Sequence, residues 1–281
     1  MALMVASSVL ISFGGLILRN IEAADAWQIN FYRSLAFIAA VALVLLFQYR
    51  RDTAVRIRAI GPPGLLGGVL LAAAGIAFLQ ALMHTTVANT LFTLSAIPFI
   101  TAALARVILK ERIGRATLVT MFIAAIGVLV MVAEGVGTGS GYGNAMALLT
   151  ASCFSGFAII VRHHRGIDMK PTLLVSGAII ALISLAARFD ELGISFNDLL
   201  LCFLWGGVLS GLANGMFIAA SRHLVAAEVT LFMLLEFALG PIWVWLFAGE
   251  VPTRWTLLGG ALVIASVTLR AILELRGRGR D

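Results

Sequence analysis

Gly67-Gly68-Val69-Leu70 returns 139 positions later as Gly206-Gly207-Val208-Leu209. The same offset, carried on without a gap, places Ala74, Phe78, His84 and Ala88 on Ala213, Phe217, His223 and Ala227. It also places Glu111, Arg115, Thr117 and Leu118 on Glu250, Arg254, Thr256 and Leu257. With Ala81 on Ala220, these are 13 identities in the 52 positions from Gly67 to Leu118. A chain this rich in Leu, Ala and Gly gives roughly 4–5 by chance, so the period marks an internal repeat.

The solvent of the fold follows from composition. The chain is 61% hydrophobic and 12% charged, with a mean hydropathy of +1.03. A water-soluble fold of 281 residues has too little interior to hide that much apolar surface. Ten runs are long and apolar enough for spanning helices, which need about 20 residues. They lie near Ala2–Leu18, Ile29–Phe47, Pro63–Met83, Val87–Val107, Thr117–Val132, Gly143–Val161, Pro171–Ala187, Leu199–Ala219, Val225–Phe247 and Thr256–Ala271. The repeat divides them five and five, at residues 1–138 and 139–281. An odd number of spans puts the second copy into the bilayer upside down. The expected fold is therefore an all-α integral membrane protein of ten transmembrane helices, built as two inverted five-helix repeats. Inverted repeats are an architecture of alternating-access transporters, with the substrate site between the halves.

Charge supports this count. With the N-terminus inside, 16 of the 20 Lys and Arg residues fall on inner segments and three, Arg19, Arg188 and Arg254, on outer ones. That bias satisfies the positive-inside rule and places both termini in the cytoplasm. The net charge of +6 is then a topology signal. Basic residues scattered over separate loops form no nucleic-acid-binding stripe. The first helix resembles a signal peptide only superficially, because no Lys or Arg precedes Leu18, and it is expected to be retained. Cys153 and Cys202 lie in apolar runs and suggest neither a disulfide framework nor a metal site.

Polar groups inside apolar runs are few and therefore informative. Glu236 lies near the middle of the ninth run. A carboxylate at that depth costs on the order of 2.5–3.5 kcal/mol, so it needs a partner, water or a function. It is the candidate for binding a substrate ammonium or carrying a coupling proton, against a structural hydrogen bond to a neighbouring helix. Asn214 in the eighth run is such a neighbour or a substrate contact. Gln80 and His84 share a face of the third helix, and Asn89 and Thr93 a face of the fourth. The third, fourth, eighth and ninth helices correspond in the two copies, so they are expected to line one cavity. Trp205 is a candidate for stacking on a ligand, against plain packing. Arg33, inside the second helix, either snorkels or pairs with an acid. Gly207, Gly211 and Gly215, four apart, read as a small-residue packing face. Pro98 and Pro241 read as helix kinks.

Catalytic signatures are weak. His163-His164-Arg165-Gly166-Ile167-Asp168 matches a His-His-x-x-x-Asp acyltransferase pattern. It lies in a short inner loop with no room for a carrier, so topogenic charge explains it better. There is no zinc, dinucleotide or P-loop motif. No cofactor, metal or catalytic residue is expected.

Leu235-Glu236-Phe237-Ala238-Leu239-Gly240-Pro241, with Leu246-Phe247-Ala248-Gly249-Glu250 after it, resembles the C-terminal signature of the drug/metabolite transporter superfamily, EamA type. There a Glu-Pro pair precedes a Gly-Glu pair by the same distance. Phe237 replaces the proline here, and Pro98 keeps it in the first copy. Phe31-Tyr32-Arg33 resembles the family's entry into the second helix. The resemblance implies export of a small metabolite, most readily amino acids, including aromatic or other apolar ones, across a bacterial inner membrane by alternating access. Its expected partners are a small-molecule substrate, the lipid bilayer and protons, in a monomer or a dimer. A sugar-phosphate carrier of the same superfamily, or a membrane enzyme using His163 and His164, are the alternatives.

Overall fold

The computed structural model describes residues 2–110, 114–138, 140–164, 166–213, 216 and 226–278. The ten apolar runs are helical over most of their described residues, with turns at Phe13, at Ser95 and Ala96 and at Pro171, and no strand occurs among the described residues. In chain order the helices are α1 (Ala2–Ser12), α2 (Gly14–Arg19), α3 (Ala26–Tyr49), α4 (Thr53–Ala59), α5 (Gly61–His84), α6 (Val87–Leu94), α7 (Ile97–Ile108), α8 (Arg115–Thr138) and α9 (Gly141–His163). They continue with α10 (Thr172–Ala187), α11 (Phe196–Phe203), a π-helical segment (Leu204–Leu212), α12 (Ala226–Ala248) and α13 (Arg254–Arg278). Among the described residues, four helical stretches are long and apolar enough to cross a membrane: Ala26–Ala59, Gly61–His84, Val87–Ile108 and Gly141–His163. The other apolar helices are shorter.

Local sequence sets the helix ends. Asp25 accepts from the backbone N–H groups of Trp27 and Gln28, and the Gln28 side chain accepts from the Asp25 N–H. This capping box starts α3. Thr86 caps α6, and Ser195 caps α11. The fourth run breaks between α6 and α7, where Pro98 sits in the first turn of α7. Its missing N–H and fixed φ suit a helix start. Pro241 behaves differently, because α12 is continuous across it.

The surface is apolar and the interior contains polar side chains. Phe47 is 83% exposed and Phe122 70%, whereas Asn30, Asn144 and Asp198 are buried. In water that distribution would be inverted. A lipid face explains it, and small residues such as Ala72, Ala77 and Ala81 fill the helix contacts within the bundle.

Helices pack in a paired pattern. The α3 helix contacts α10, α6 contacts α12, and α8 contacts α13. Each pair joins a run to the one five places later. Two further contacts also exchange: α5 with α10 corresponds to the π segment with α3, and α9 with α7 corresponds to α1 with α12, whereas the contact of α5 with α9 has only a weak counterpart among the described residues.

Two polar layers close the ends of the bundle. At one end, Arg19 Nε donates to Glu250 at 2.8 Å, and its Nη atoms donate to the carbonyls of Leu82 and Thr85 at 3.0 and 3.2 Å. The other Glu250 oxygen accepts from the Val87 N–H at 2.6 Å. Gly249, with φ +69°, makes the left-handed turn that returns Glu250 to this position. Nearby, the buried Asp198 carboxylate accepts from the N–H groups of Glu22, Ala23 and Ala24. Gln28 and Tyr32 donate to carbonyls of residues 191–193. At the opposite end, the Tyr49 hydroxyl donates to Asp168, and Lys170 donates to Tyr49 at 3.0 Å.

The glycine-rich eighth run packs on α3, but with a different face from the expected one. A Cβ at Gly206 would collide with the Arg33 carbonyl oxygen, and one at Gly211 with Ala40 Cβ. At Gly207 it would lie 3.8 Å from Ala36 Cβ, an ordinary contact. The expected ladder has four-residue spacing. The π winding, with i→i+5 hydrogen bonds, instead puts glycines five apart on one face. Gly215 lies outside the described residues. We therefore expect Gly206→Ala to lower stability by about 1–3 kcal/mol through overpacking. Gly207→Ala should be tolerated, and thermal unfolding of the two variants in detergent checks the contrast.

Candidate functional site

A cavity of about 290 Å³ lies at the centre of the bundle. Its wall draws Arg33, Ser34 and Phe37 from α3, and Leu71, Ala74, Gly75 and Phe78 from α5. Residues of α6, α9 and α10, Ser210 of the π segment and Glu236 of α12 complete it. The cavity is thus built from both halves of the chain and from seven runs, where four were expected. It reaches Leu173, the second residue of α10, beside the Tyr49–Asp168–Lys170 layer. Its wall is mainly apolar, with a few polar groups, the usual make-up of a small-molecule pocket.

Glu236 stands in this wall. It makes no hydrogen bond or ion pair with another described residue. Arg33 stands in the same wall. Its guanidinium lies over the Trp205 ring, 4.8 Å from the centroid, and its Nη2 donates to Asn30 Oδ1 at 3.2 Å. The Trp205 ring is 3% exposed, with its indole edge against Gly14. It supports Arg33 from behind and does not line the cavity.

The other sequence candidates are elsewhere. Gln80 lines a second, apolar cavity with Trp27, Ile76 and Tyr142. The face of α5 at Leu71, Ala74, Gly75 and Phe78 follows the 3–4-residue helical period, and Gln80 is on the opposite side. The Nδ1 of His84 lies 2.8 Å from the Gln80 carbonyl, and its ring packs edge-on to Tyr142. Asn89 donates to Thr85 Oγ1 at 3.1 Å and to Asn144 Oδ1. Thr93 is buried with its hydroxyl unpartnered. Asn214 lies outside the described residues. The structure therefore brings Glu236 to the cavity, gathers His84 and Asn89 near one end of the bundle, and sets Gln80 apart. Arg33 was missed as a cavity group, although a lone cation in an apolar run was the available signal.

The His163–His164 loop has no catalytic arrangement among its described residues. The two rings pack edge to face, and His164 Nδ1 lies 3.2 Å from the Ile160 carbonyl. Asp168 turns away to Tyr49 and Lys170. Burial pushes the Asp168 carboxyl up, but the Tyr49 hydroxyl, the Lys170 N–H and the Lys170 ammonium outweigh it and hold the carboxyl below its usual value.

An all-α bundle with an apolar exterior and an internal cavity fits a multi-pass membrane protein. Residues 1–133, just under half of the chain, match the EamA-like transporter family. It is 25% identical over 265 residues to the pseudopaline exporter CntI of Pseudomonas aeruginosa strain UCBPP-PA14, covering 86% of this chain and 84% of that protein. The same protein from strain PAO1 matches equally. A solved structure described as the crystal structure of a protein superposes with a TM-score of 0.68, over 97% of this chain and 96% of the other. At 16% identity this is a likeness of fold alone. The family and the exporter relative indicate a transporter and not an enzyme.

The lowered carboxyl of Asp168 has a signed consequence. Its contribution to stability is complete above the ordinary aspartate range and is lost as pH falls through the lower folded-state value. Asp168→Asn should flatten the acid limb of a melting-temperature profile, and Tyr49→Phe should shift that limb to higher pH.

Proposed function

We propose that this protein exports a small metabolite, with apolar and aromatic amino acids as the favoured substrates, by alternating access between inverted five-helix repeats at residues 1–138 and 139–281. The cavity carries this reading, because both halves build it and an unpaired carboxylate, Glu236, stands in its wall. The exchange of helix contacts between runs five places apart supports the inverted relation. The exporter role of the relative supports the direction of transport. Both termini are placed in the cytoplasm of a bacterial inner membrane by the charge bias. On that orientation the cavity reaches the inner end at Leu173, and the Arg19–Glu250 layer closes the outer end. Glu236 binds a substrate ammonium or carries a coupling proton.

A sugar-phosphate carrier fits less well. Such a substrate needs several converging cations, and Arg33 is the single cation among the described lining residues.

Proteoliposome uptake of amino acids, with and without a pH gradient, tests the reading. If Glu236 carries the proton, Glu236→Gln should abolish gradient-driven accumulation and leave substrate exchange. If it anchors the ammonium, affinity should fall. Wild-type rates, affinity and pH dependence in the variant would reject both roles. Topology has its own check: a cysteine at Ser140, between α8 and α9, should label from outside, and labelling from inside would sink the ten-span arrangement.

The closed outer layer is testable too. Glu250→Gln keeps the shape but weakens the attraction for Arg19. In that background, a cysteine at Ser176 should react severalfold faster with an impermeant thiol reagent added outside. An unchanged rate would remove the Arg19–Glu250 contact from the gating scheme.

A further inference from the structure

Arg33 is an expensive group to place inside a membrane bundle. Arg33 is the eighth of the 24 residues of α3, where a cation carries part of the roughly 2.5–3.5 kcal/mol that insertion scales give at a helix centre. Such a group normally has an acidic partner. Here no ion pair within 4.0 Å joins Arg33 to Glu236 or to any other described acid. Among the described residues it donates to one neutral amide, Asn30, although a guanidinium carries five N–H donors in a planar fork. What surrounds it fixes its place without neutralising it. Trp205 lies beneath the plane, Asn30 holds one edge, and Gly75 leaves open the space in front: a Cβ there would come within 4.0 Å of Nη2 and 2.8 Å of Ile180 Cδ1. The acid Glu236 lines the same cavity without an ion pair to Arg33. A basic and an acidic side chain are thus kept apart across an otherwise mainly apolar space.

We infer that Arg33 is the substrate-carboxylate receptor of this transporter, forming with Glu236 a dipolar site for a zwitterion that carries both a carboxylate and a protonated amine. The inference rests on the exporter reading above. The planar fork suits a carboxylate bidentately, which an ammonium cannot reproduce. Phe37, Phe78 and Phe154 in the same wall suit an apolar side chain. Trp205 is a positioning residue, acting through Arg33.

The test compares three amino acids, phenylalanine, leucine and methionine, each with its carboxamide and its deaminated acid. Purified full-length protein in proteoliposomes is used, with Arg33→Gln, Arg33→Lys and Glu236→Gln beside the wild type. The wild type should transport the zwitterion at least tenfold better than either analogue. Arg33→Gln should erase the preference over the carboxamide and keep the preference over the deaminated acid. Glu236→Gln should do the reverse. Arg33→Lys should retain part of the carboxylate preference, and it serves as the reporting variant if Arg33→Gln does not insert. A merely structural Arg33 would lower all three rates together, and that result overturns the inference while leaving the exporter reading intact. A wild type that transports these ligands without regard to the carboxylate also overturns it. A wild type that moves none of the panel overturns the amino-acid exporter reading, and the dipolar site with it.

Discussion

The seating of the π-helical segment on α3 is the contact on which the cavity depends. Gly206 lets the backbone of the eighth run rest against the Arg33 carbonyl, and Gly211 repeats the approach at Ala40. Any side chain at these places would push the two helices apart. Because they touch, Trp205 lies directly behind the Arg33 guanidinium, and Ser210 reaches the cavity wall. Backbone approach of this kind is the membrane substitute for hydrophobic burial, since lipid offers apolar side chains as good a home as the interior does.

The two ends of the bundle are closed by different chemistry. At the Arg19 end, a carboxylate or guanidinium bonds backbone groups of loops that are remote in sequence. Asp198 alone accepts from three successive N–H groups, which would otherwise be costly to bury. The Tyr49 end relies on side chains, a hydroxyl between a carboxylate and an ammonium. Backbone-anchored contacts are harder to exchange for water than side-chain pairs. The cavity reaches the side with the fewer anchors.

Much of this was legible in the sequence. Ten apolar runs, their short connections and the breakpoint at Pro98 follow from composition and from the chemistry of proline. Glu236 was legible because a charge in an apolar run is rare. Gln80 was misplaced because sharing a helix with the cavity is not sharing its face: two residues past Phe78, the side chain points the other way. The Arg19–Glu250 and Asp198 contacts join residues 231 and about 175 positions apart, and no local pattern encodes such pairs. The π winding was also hidden. Its glycines look like a four-residue ladder until the extra residue per turn is known. Arg33 and Trp205 belong to different helices, so only their assembly shows that the tryptophan serves the arginine.

The helix pairing has a consequence for how such a chain can arise. The contacts of α3 with α10, α6 with α12 and α8 with α13 all cross the division near residue 138. Neither half keeps its inner faces to itself. The seam is therefore a seam in the sequence and not in the folded mass. On the proposed inverted repeat, a half-length ancestor would have exposed the same faces and needed a second copy, entering the bilayer the other way up, to cover them. Fusion of two such copies changes no contact. It fixes the stoichiometry, and it frees each face to diverge from its twin, so that a cation can settle on one side of the shared space and a carboxylate on the other.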